Sequence, residues 1–117
     1  MLKLKTLFFL SGFICCATYA GQLSQNQYDE LIDQYTTQIL ASKEIIDNPA
    51  STADNETKTK VFCQRLEAYE KIKSLSEENL NLDLAQQMLM ASNLFLDKQK
   101  QSLLSSGVSD KFFCQNK

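Results

Sequence analysis

The chain has no histidine and no tryptophan, and its 117 residues include only three glycines and one proline. Because histidine is the commonest general base, its absence excludes a serine or cysteine nucleophile activated by histidine. It also excludes a zinc site built from cysteine and histidine. A glycine-rich phosphate loop is excluded too, since the glycines stand alone at positions 12, 21 and 107. We therefore predict no enzyme activity, no cofactor and no metal site, and a hydrolase that uses carboxylates alone is the one enzyme class left open.

The first 20 residues have the three-part layout of a secretory signal peptide. Lys3 and Lys5 precede an apolar run at positions 7–17, and the small residues Ala20 and Gly21 follow it. A membrane span needs about 20 mostly apolar residues, so this shorter run is not expected to be a permanent anchor. We predict cleavage after Ala20 and a periplasmic or secreted mature protein, with membrane association only through an uncleaved signal peptide.

Cys15 and Cys16 suggest an alternative in which one of them becomes the acylated first residue of a lipoprotein. The bulky residues Phe13 and Ile14 stand before them, where such sites carry small residues. We therefore interpret both cysteines as small hydrophobic residues of the removed segment.

Residues 21–117 are 97 residues long, which suits a single domain with a modest core. After Lys3 and Lys5 are removed, 10 basic residues face 14 acidic ones, a net charge of −4. This sign disfavours nucleic acid and anionic membranes as partners, because both select clustered basic residues. The sequence leaves the oligomeric state open.

Two cysteines, Cys63 and Cys114, remain after cleavage. An exported chain enters an oxidising compartment, where such a pair normally forms a disulfide. A redox-active pair is the alternative, but catalytic dithiols usually appear as Cys-x-x-Cys. We predict one structural Cys63–Cys114 bond that stabilises the domain.

The sequence after Ala20 predicts an all-α fold: a small antiparallel bundle of three main helices plus a short C-terminal turn or helix. The first helix starts near Gln25, with Ser24 and Gln27 as a capping box, and ends at Asp47. Its predicted apolar face consists of Tyr28, Leu31, Ile32, Tyr35, Ile39 and Ile46.

A polar linker, residues 48–57, follows the first helix and is predicted to be an exposed loop. Asn55 opens a glycosylation sequon, which we interpret as coincidental because the signal segment has a bacterial style. Asp54 or Asn55 is the predicted cap of a second helix over about residues 56–75. The predicted core residues of that helix are Phe62, Leu66, Tyr69 and Ile72, with Val61 and Leu75 at the margins.

The third helix is predicted to start at Leu80 or Asp83, with Asp83 and Gln86 as a capping pair, and to end at Ser105 before Gly107. It carries two apolar stripes, so we expect it to be the central helix, packed between its neighbours. The stripes are Leu80, Leu84, Met88, Ala91 and Phe95, and Leu82, Ala85, Leu89, Leu96 and Leu103. Ser109 and Asp110 are expected to cap a last turn that presses Phe112 and Phe113 onto the core.

Three function classes fit this scaffold. The first is an exported protein that binds a protein partner, such as an immunity protein, an enzyme inhibitor or an assembly factor. The second is a carrier or sensor of a small apolar ligand, which would use Met88, Met90 and Phe95. The third is a chaperone-like or structural component of the cell envelope that acts through exposed amphipathic helices.

We expect the contact surface to include the first helix and the loop after it, because the first helix lies outside the predicted disulfide loop and the polar linker is exposed. Acidic residues are concentrated there and would steer a basic partner, although solubility alone would also favour them. These candidate partner-binding residues are Asp29, Asp33, Glu44, Asp47, Asp54 and Glu56.

Overall fold

The computed structural model describes residues 22–108 and 113–114. It contains three helices, α1 (Gln25–Ile46), α2 (Asn55–Glu77) and α3 (Ala85–Ser105). The described residues form no strand, so the predicted all-α fold with three main helices is confirmed. The signal segment, both of its cysteines and Ser109, Asp110 and Phe112 lie outside the described residues.

Helix α1 begins where the sequence predicts. The backbone N–H of Gln27 donates to Ser24 Oγ at 3.1 Å, and the Ser24 N–H donates to Gln27 Oε1 at 3.0 Å. This reciprocal pair satisfies two backbone donors that have no partner within the helix. The helix ends at Ile46, with Asp47 as its C-terminal cap, as predicted.

Helix α2 is capped by Asp54, whose carboxylate accepts from the Thr57 N–H at 2.8 Å. This confirms one of the two predicted caps. The helix runs two residues beyond the predicted Leu75 because no breaker follows before the turn that starts at Glu78.

Helix α3 begins at Ala85, and the predicted Asp83 cap is wrong. Leu84 occupies the cap position in a left-handed conformation, and its side chain makes no capping hydrogen bond. The end of the helix is as predicted: Gly107 adopts a φ of 87°, and Val108 N–H donates to the Leu103 carbonyl at 3.0 Å. These features form a Schellman motif.

Helix α2 is the central helix, because it packs against both α1 and α3, whose backbones do not contact each other. The expectation that α3 is central is therefore wrong. The physical reason lies in α2: small and polar residues such as Ala68, Ser76 and Arg65 are buried there, alongside Leu66 and Ile72. A count of large apolar residues underestimates how much of such a helix is buried.

The core lies along α2. Ile39 of α1 contacts Ala68 and Ile72 of α2, and these three are buried. Partly buried residues pack against them: Ile32, Tyr35, Tyr69 and Met88. Between α2 and α3, the rings of Tyr69 and Phe95 stack with centroids 3.8 Å apart.

The start of α1 lies beside the end of α2, where the hydroxyls of Tyr28 and Ser76 are 2.7 Å apart. The end of α1 lies beside the first half of α2, where Arg65 contacts Asp47. The antiparallel sense of the whole bundle stays a prediction.

Cys63 is bonded to Cys114, with their Cα atoms 5.6 Å apart. Phe113 and Cys114 are helical, and the Phe113 ring packs edge-on against Phe62 with centroids 5.7 Å apart. The predicted pairing is thus present, and it holds this C-terminal turn against α2. No helix among the described residues is both long and apolar enough to cross a membrane.

Candidate functional site

The six acidic residues predicted to bind a partner are all exposed, but they do not form one patch. Asp29 and Asp33 lie near the start of α1, whereas the other four lie at its end, in the linker and at the start of α2. Asp29 and Glu44 are 15 positions apart on one helix, which corresponds to about 22 Å along its axis. The two groups therefore belong to different ends of the α1–α2 pair.

Two of the four residues at the far end have structural roles. The Asp47 carboxylate accepts from Arg65 Nη2 at 3.0 Å, which forms an ion pair. Asp54 caps α2, and hydrogen bonds from the Thr57 side chain and backbone lower the pKa of its carboxyl. Both carboxylates contribute to the fold whether or not they contact a partner.

The turn between α2 and α3, residues 78–84, is called the leucine loop here, after Leu80, Leu82 and Leu84. Leu80 is 52% exposed and Leu84 is 61% exposed. The prediction that both belong to an apolar stripe of the third helix is wrong, because α3 begins only at Ala85.

Two side chains anchor the leucine loop to the start of α1. Asn79 is 2% exposed, and it accepts from the Leu23 N–H at 3.0 Å while it donates to the Leu75 carbonyl at 2.8 Å. Gln25 accepts from the Asp83 N–H at 2.8 Å and donates to the Asp83 carbonyl at 3.4 Å. Because these bonds connect the loop to another helix, its backbone is held in place.

The anchored loop includes a strained residue. Leu84 has a φ of 69° and a ψ of −7°, a conformation that costs a residue with a Cβ about 1–2 kcal/mol. Such strain persists only where the surroundings impose it, and it is commonest at functional positions. Here the strained residue is an exposed leucine, so burial of its side chain in the core does not offset the cost of the strain.

An open cleft of about 710 Å³ lies against the leucine loop. Leu80, Leu82 and Leu84 line it together with the acidic side chains of Asp29 and Asp83. Apolar and acidic groups are thus adjacent, a combination that suits a partner surface with an apolar pocket and basic residues around it.

A second cleft of about 630 Å³ lies between α1 and α2 and is called the Arg65 cleft here. Arg65 lines it and is only 8% exposed. Its Nε donates to Ser42 Oγ at 2.6 Å and its Nη2 donates to Asp47 at 3.0 Å. Sequence patterns do not reveal this cleft, since a lone arginine between polar residues has the pattern of an exposed residue.

The residues suggested for an apolar ligand do not converge on a cleft. Met88 packs on the core, Phe95 stacks on Tyr69, and Met90 is exposed. None of the three lines either of the clefts described above. Across residues 22–108 and 113–114, no three side chains of histidine, cysteine, aspartate or glutamate are placed to hold a metal ion.

Comparison of the chain with protein-family models, with curated proteins and with solved structures finds no match.

Proposed function

We propose that this chain is an exported helical protein that acts by binding a protein partner, as an immunity protein, an enzyme inhibitor or an assembly factor does. Export is supported by the signal-peptide pattern of the first 20 residues. Binding is supported above all by the leucine loop, in which exposed apolar side chains are displayed on an anchored and strained backbone.

The leucine loop has the properties of a binding determinant. Association costs less entropy when the contacting segment is already ordered, and the hydrogen bonds of Asn79 and Gln25 order this one. Energetically important contacts are usually apolar side chains near the centre of an interface, surrounded by a polar rim. Leu80 and Leu84 supply such a centre, and Asp29 and Asp83 lie at its edge.

The acidic edge indicates the chemistry of the partner. Asp29 lines the cleft beside the leucine loop. Asp33 follows Asp29 by one turn on the same face of α1, and both are exposed. We propose a partner that presents an apolar pocket rimmed by lysine or arginine, because opposite charges speed encounter and fix orientation. A contact role for Glu44, Asp47, Asp54 and Glu56 stays a prediction.

The apolar-ligand alternative has less support. Met88 and Phe95, on which it was based, are engaged in packing within the fold.

A photo-crosslinking amino acid placed at position 84 of the full chain in its native host tests the proposal. We expect it to crosslink to one defined protein. Charge reversal at Asp29 and Asp33 should reduce this crosslink several-fold at low ionic strength, where electrostatic attraction is least screened. The matched control is the same amino acid at Leu94, which is equally exposed on the outer face of α3.

Leu84→Gly separates a contact role from a structural one. Glycine accepts a positive φ without strain, so we expect an unchanged or higher melting temperature together with a weaker complex. Equal crosslinking from positions 84 and 94, or a Leu84→Gly protein that keeps full affinity, would contradict the proposal.

A further inference from the structure

We propose that the Arg65 cleft binds a small organic carboxylate that carries a short apolar chain. This site is separate from the leucine loop, and the inference does not depend on the proposed partner. It is based on the spare hydrogen-bonding capacity of a buried arginine and on the chemistry of the surrounding walls.

Arg65 has donors that the described fold does not use. A guanidinium has five N–H donors. Within the described residues, one bond from Nε to Ser42 and one from Nη2 to Asp47 are formed, which leaves three N–H groups without a bond to these residues. Among the described residues, no side-chain nitrogen or oxygen atom is both buried and without a hydrogen-bond partner, so the unused donors of Arg65 are open to the solvent of the cleft that it lines. They are therefore accessible to an anionic ligand, with which they would form charge-assisted hydrogen bonds.

The guanidinium is held in a fixed position. Ser42 accepts from Arg65 and in turn donates to the Ile39 carbonyl at 2.6 Å, so the arginine is linked to the backbone of α1. Asp47 holds the Nη2 atom from the other side. An arginine fixed in this way binds a carboxylate with little loss of side-chain entropy, and the resulting hydrogen bonds are charge-assisted.

The walls of the cleft explain why the ligand should carry an apolar chain. The apolar residues that line it are Tyr35, Ala41, Ile45, Val61 and Ala68. Gln34, Gln38 and Gln64 line it as well and contribute neutral polar groups. The volume of about 630 Å³ is within the range of small-molecule sites, which combine apolar walls with a few polar anchors.

The charges around the cleft fit a single carboxylate rather than a multiply charged anion. Lys71 and Arg65 supply two positive charges, while Glu67 at the wall and Asp47 on the arginine supply two negative ones. A phosphate carries more negative charge than a monocarboxylate, so Glu67 and Asp47 would repel it more strongly. A monocarboxylate carries a single negative charge, and the unused N–H groups of Arg65 are enough to bind it.

Octanoate is the probe for this site, and octanamide is its neutral counterpart. In a titration of the isotope-labelled full mature chain followed by two-dimensional NMR, octanoate should shift signals of residues around the cleft and saturate. We expect octanamide to bind at least about tenfold more weakly, since it cannot form charge-assisted hydrogen bonds. A short peptide with one glutamate and leucine neighbours is a third ligand.

Three variants complete the test. Arg65→Met should lower octanoate affinity at least about tenfold, the amount expected for loss of a charged hydrogen-bond donor. If Arg65→Met folds poorly, Gln38→Glu replaces an exposed side chain of the cleft wall and should still lower the affinity several-fold by charge repulsion. Gln101→Glu makes the same change at an exposed position of α3 outside the cleft and should have no effect.

The proposal is overturned if octanoate and octanamide bind equally, or if Gln38→Glu and Gln101→Glu behave alike. It is also overturned if the peptide binds at the cleft and octanoate does not, since the site would then serve a protein side chain. Octanoate shifts centred on the leucine loop instead of the Arg65 cleft would overturn it too.

Discussion

Buried polar residues are the main feature of this protein that hydrophobic patterns do not reveal. Ser42, Arg65, Ser76 and Asn79 are all buried, and each forms a side-chain hydrogen bond. Their burial is permitted because those bonds replace the ones lost to water. A sequence pattern shows only that these residues are polar. Their hydrogen-bond partners, which offset the loss of water, are apparent only in the folded structure.

Local capping is the part of the structure that single residues do predict. Ser24 with Gln27, and Asp54 alone, cap helices as expected, because a cap depends on residues three positions apart. Asp83 fails as a cap because Gln25, 58 positions away, holds its backbone. The long-range contact overrides the local preference.

Asp54 should make stability depend on pH. Its hydrogen bonds with Thr57 lower the pKa of the folded carboxyl below its ordinary value of 3.8. A lowered folded pKa means that the contribution is present above the unfolded value and is lost as the pH falls through the folded pKa. We therefore expect part of the loss of stability below about pH 4 to come from this residue.

Asp54→Asn is the measurement that isolates this effect, because asparagine caps helices but does not titrate. The difference in unfolding free energy between wild type and variant, from urea titrations at pH 7 and at pH 3, should shrink toward zero at the lower pH. The exposed Asp97→Asn on α3 serves as the control. If the difference in unfolding free energy between wild type and Asp54→Asn is the same at both pH values, the charge of Asp54 does not add to the stability that its cap provides.

The helices were predicted more accurately than their arrangement. Their number and most of their ends follow from caps, from Pro49 and from Gly107, which are local signals. Their order in the bundle depends on how closely backbones approach, and that is set by small residues. Ala68, Ser76 and Ala85 are almost completely buried. They permit close packing along α2 although they add little to an apolar stripe.

The Tyr28–Ser76 pair is a critical contact between α1 and α2. Ser76→Ala should destabilise the protein by about 1–3 kcal/mol, because the buried tyrosine hydroxyl would lose its partner. Tyr28→Phe together with Ser76→Ala removes both polar groups, so we expect the double variant to cost clearly less than the sum of the single ones. Urea unfolding monitored by circular dichroism measures all three.

Ser74→Ala is the matched control, since Ser74 is an exposed serine of the same helix. It should change the unfolding free energy by less than about 0.5 kcal/mol. Strict additivity of the two buried substitutions would mean that the hydroxyls at 2.7 Å are not energetically coupled.

At the scale of the whole molecule, α2 connects every other described part. It packs on α1 and on α3, and it carries the cysteine that holds the C-terminal turn. The Arg65 cleft lies along its side toward α1, and the leucine loop begins at its end. The sequence predicts a contact surface on α1 and the linker after it, and that surface stays a prediction. The leucine loop and the Arg65 cleft could not be predicted in this way, because each combines residues that are far apart in the chain and become neighbours only when the helices pack.

The disulfide acts on the molecule as a whole. It closes a segment with a sequence separation of 51, which includes most of α2 and all of α3. In the chain-entropy model, a loop of this length stabilises the folded state by about 4 kcal/mol, an upper value because residual structure in the unfolded chain reduces it. The packing of Ile39 on Ala68 and Ile72, and the stacking of Tyr69 on Phe95, involve other residues than the two cysteines. We therefore expect the helices to form without the bond.

We therefore expect replacement of Cys63 and Cys114 by serine to lower the melting temperature by on the order of 10–20 °C while the helical circular dichroism signal at 20 °C is retained. Wild-type protein treated with a dithiol reductant should melt at nearly the same temperature as the variant, which separates the effect of the bond from that of the substitutions.

Intact mass spectrometry of the exported native protein, with and without reduction and alkylation, provides the chemical check. The mass should correspond to a chain that starts at Gly21 and should increase by two alkyl groups only after reduction. Two cysteines that label without reduction would contradict the disulfide, and a lipid-modified mass that includes Cys15 or Cys16 would contradict cleavage after Ala20.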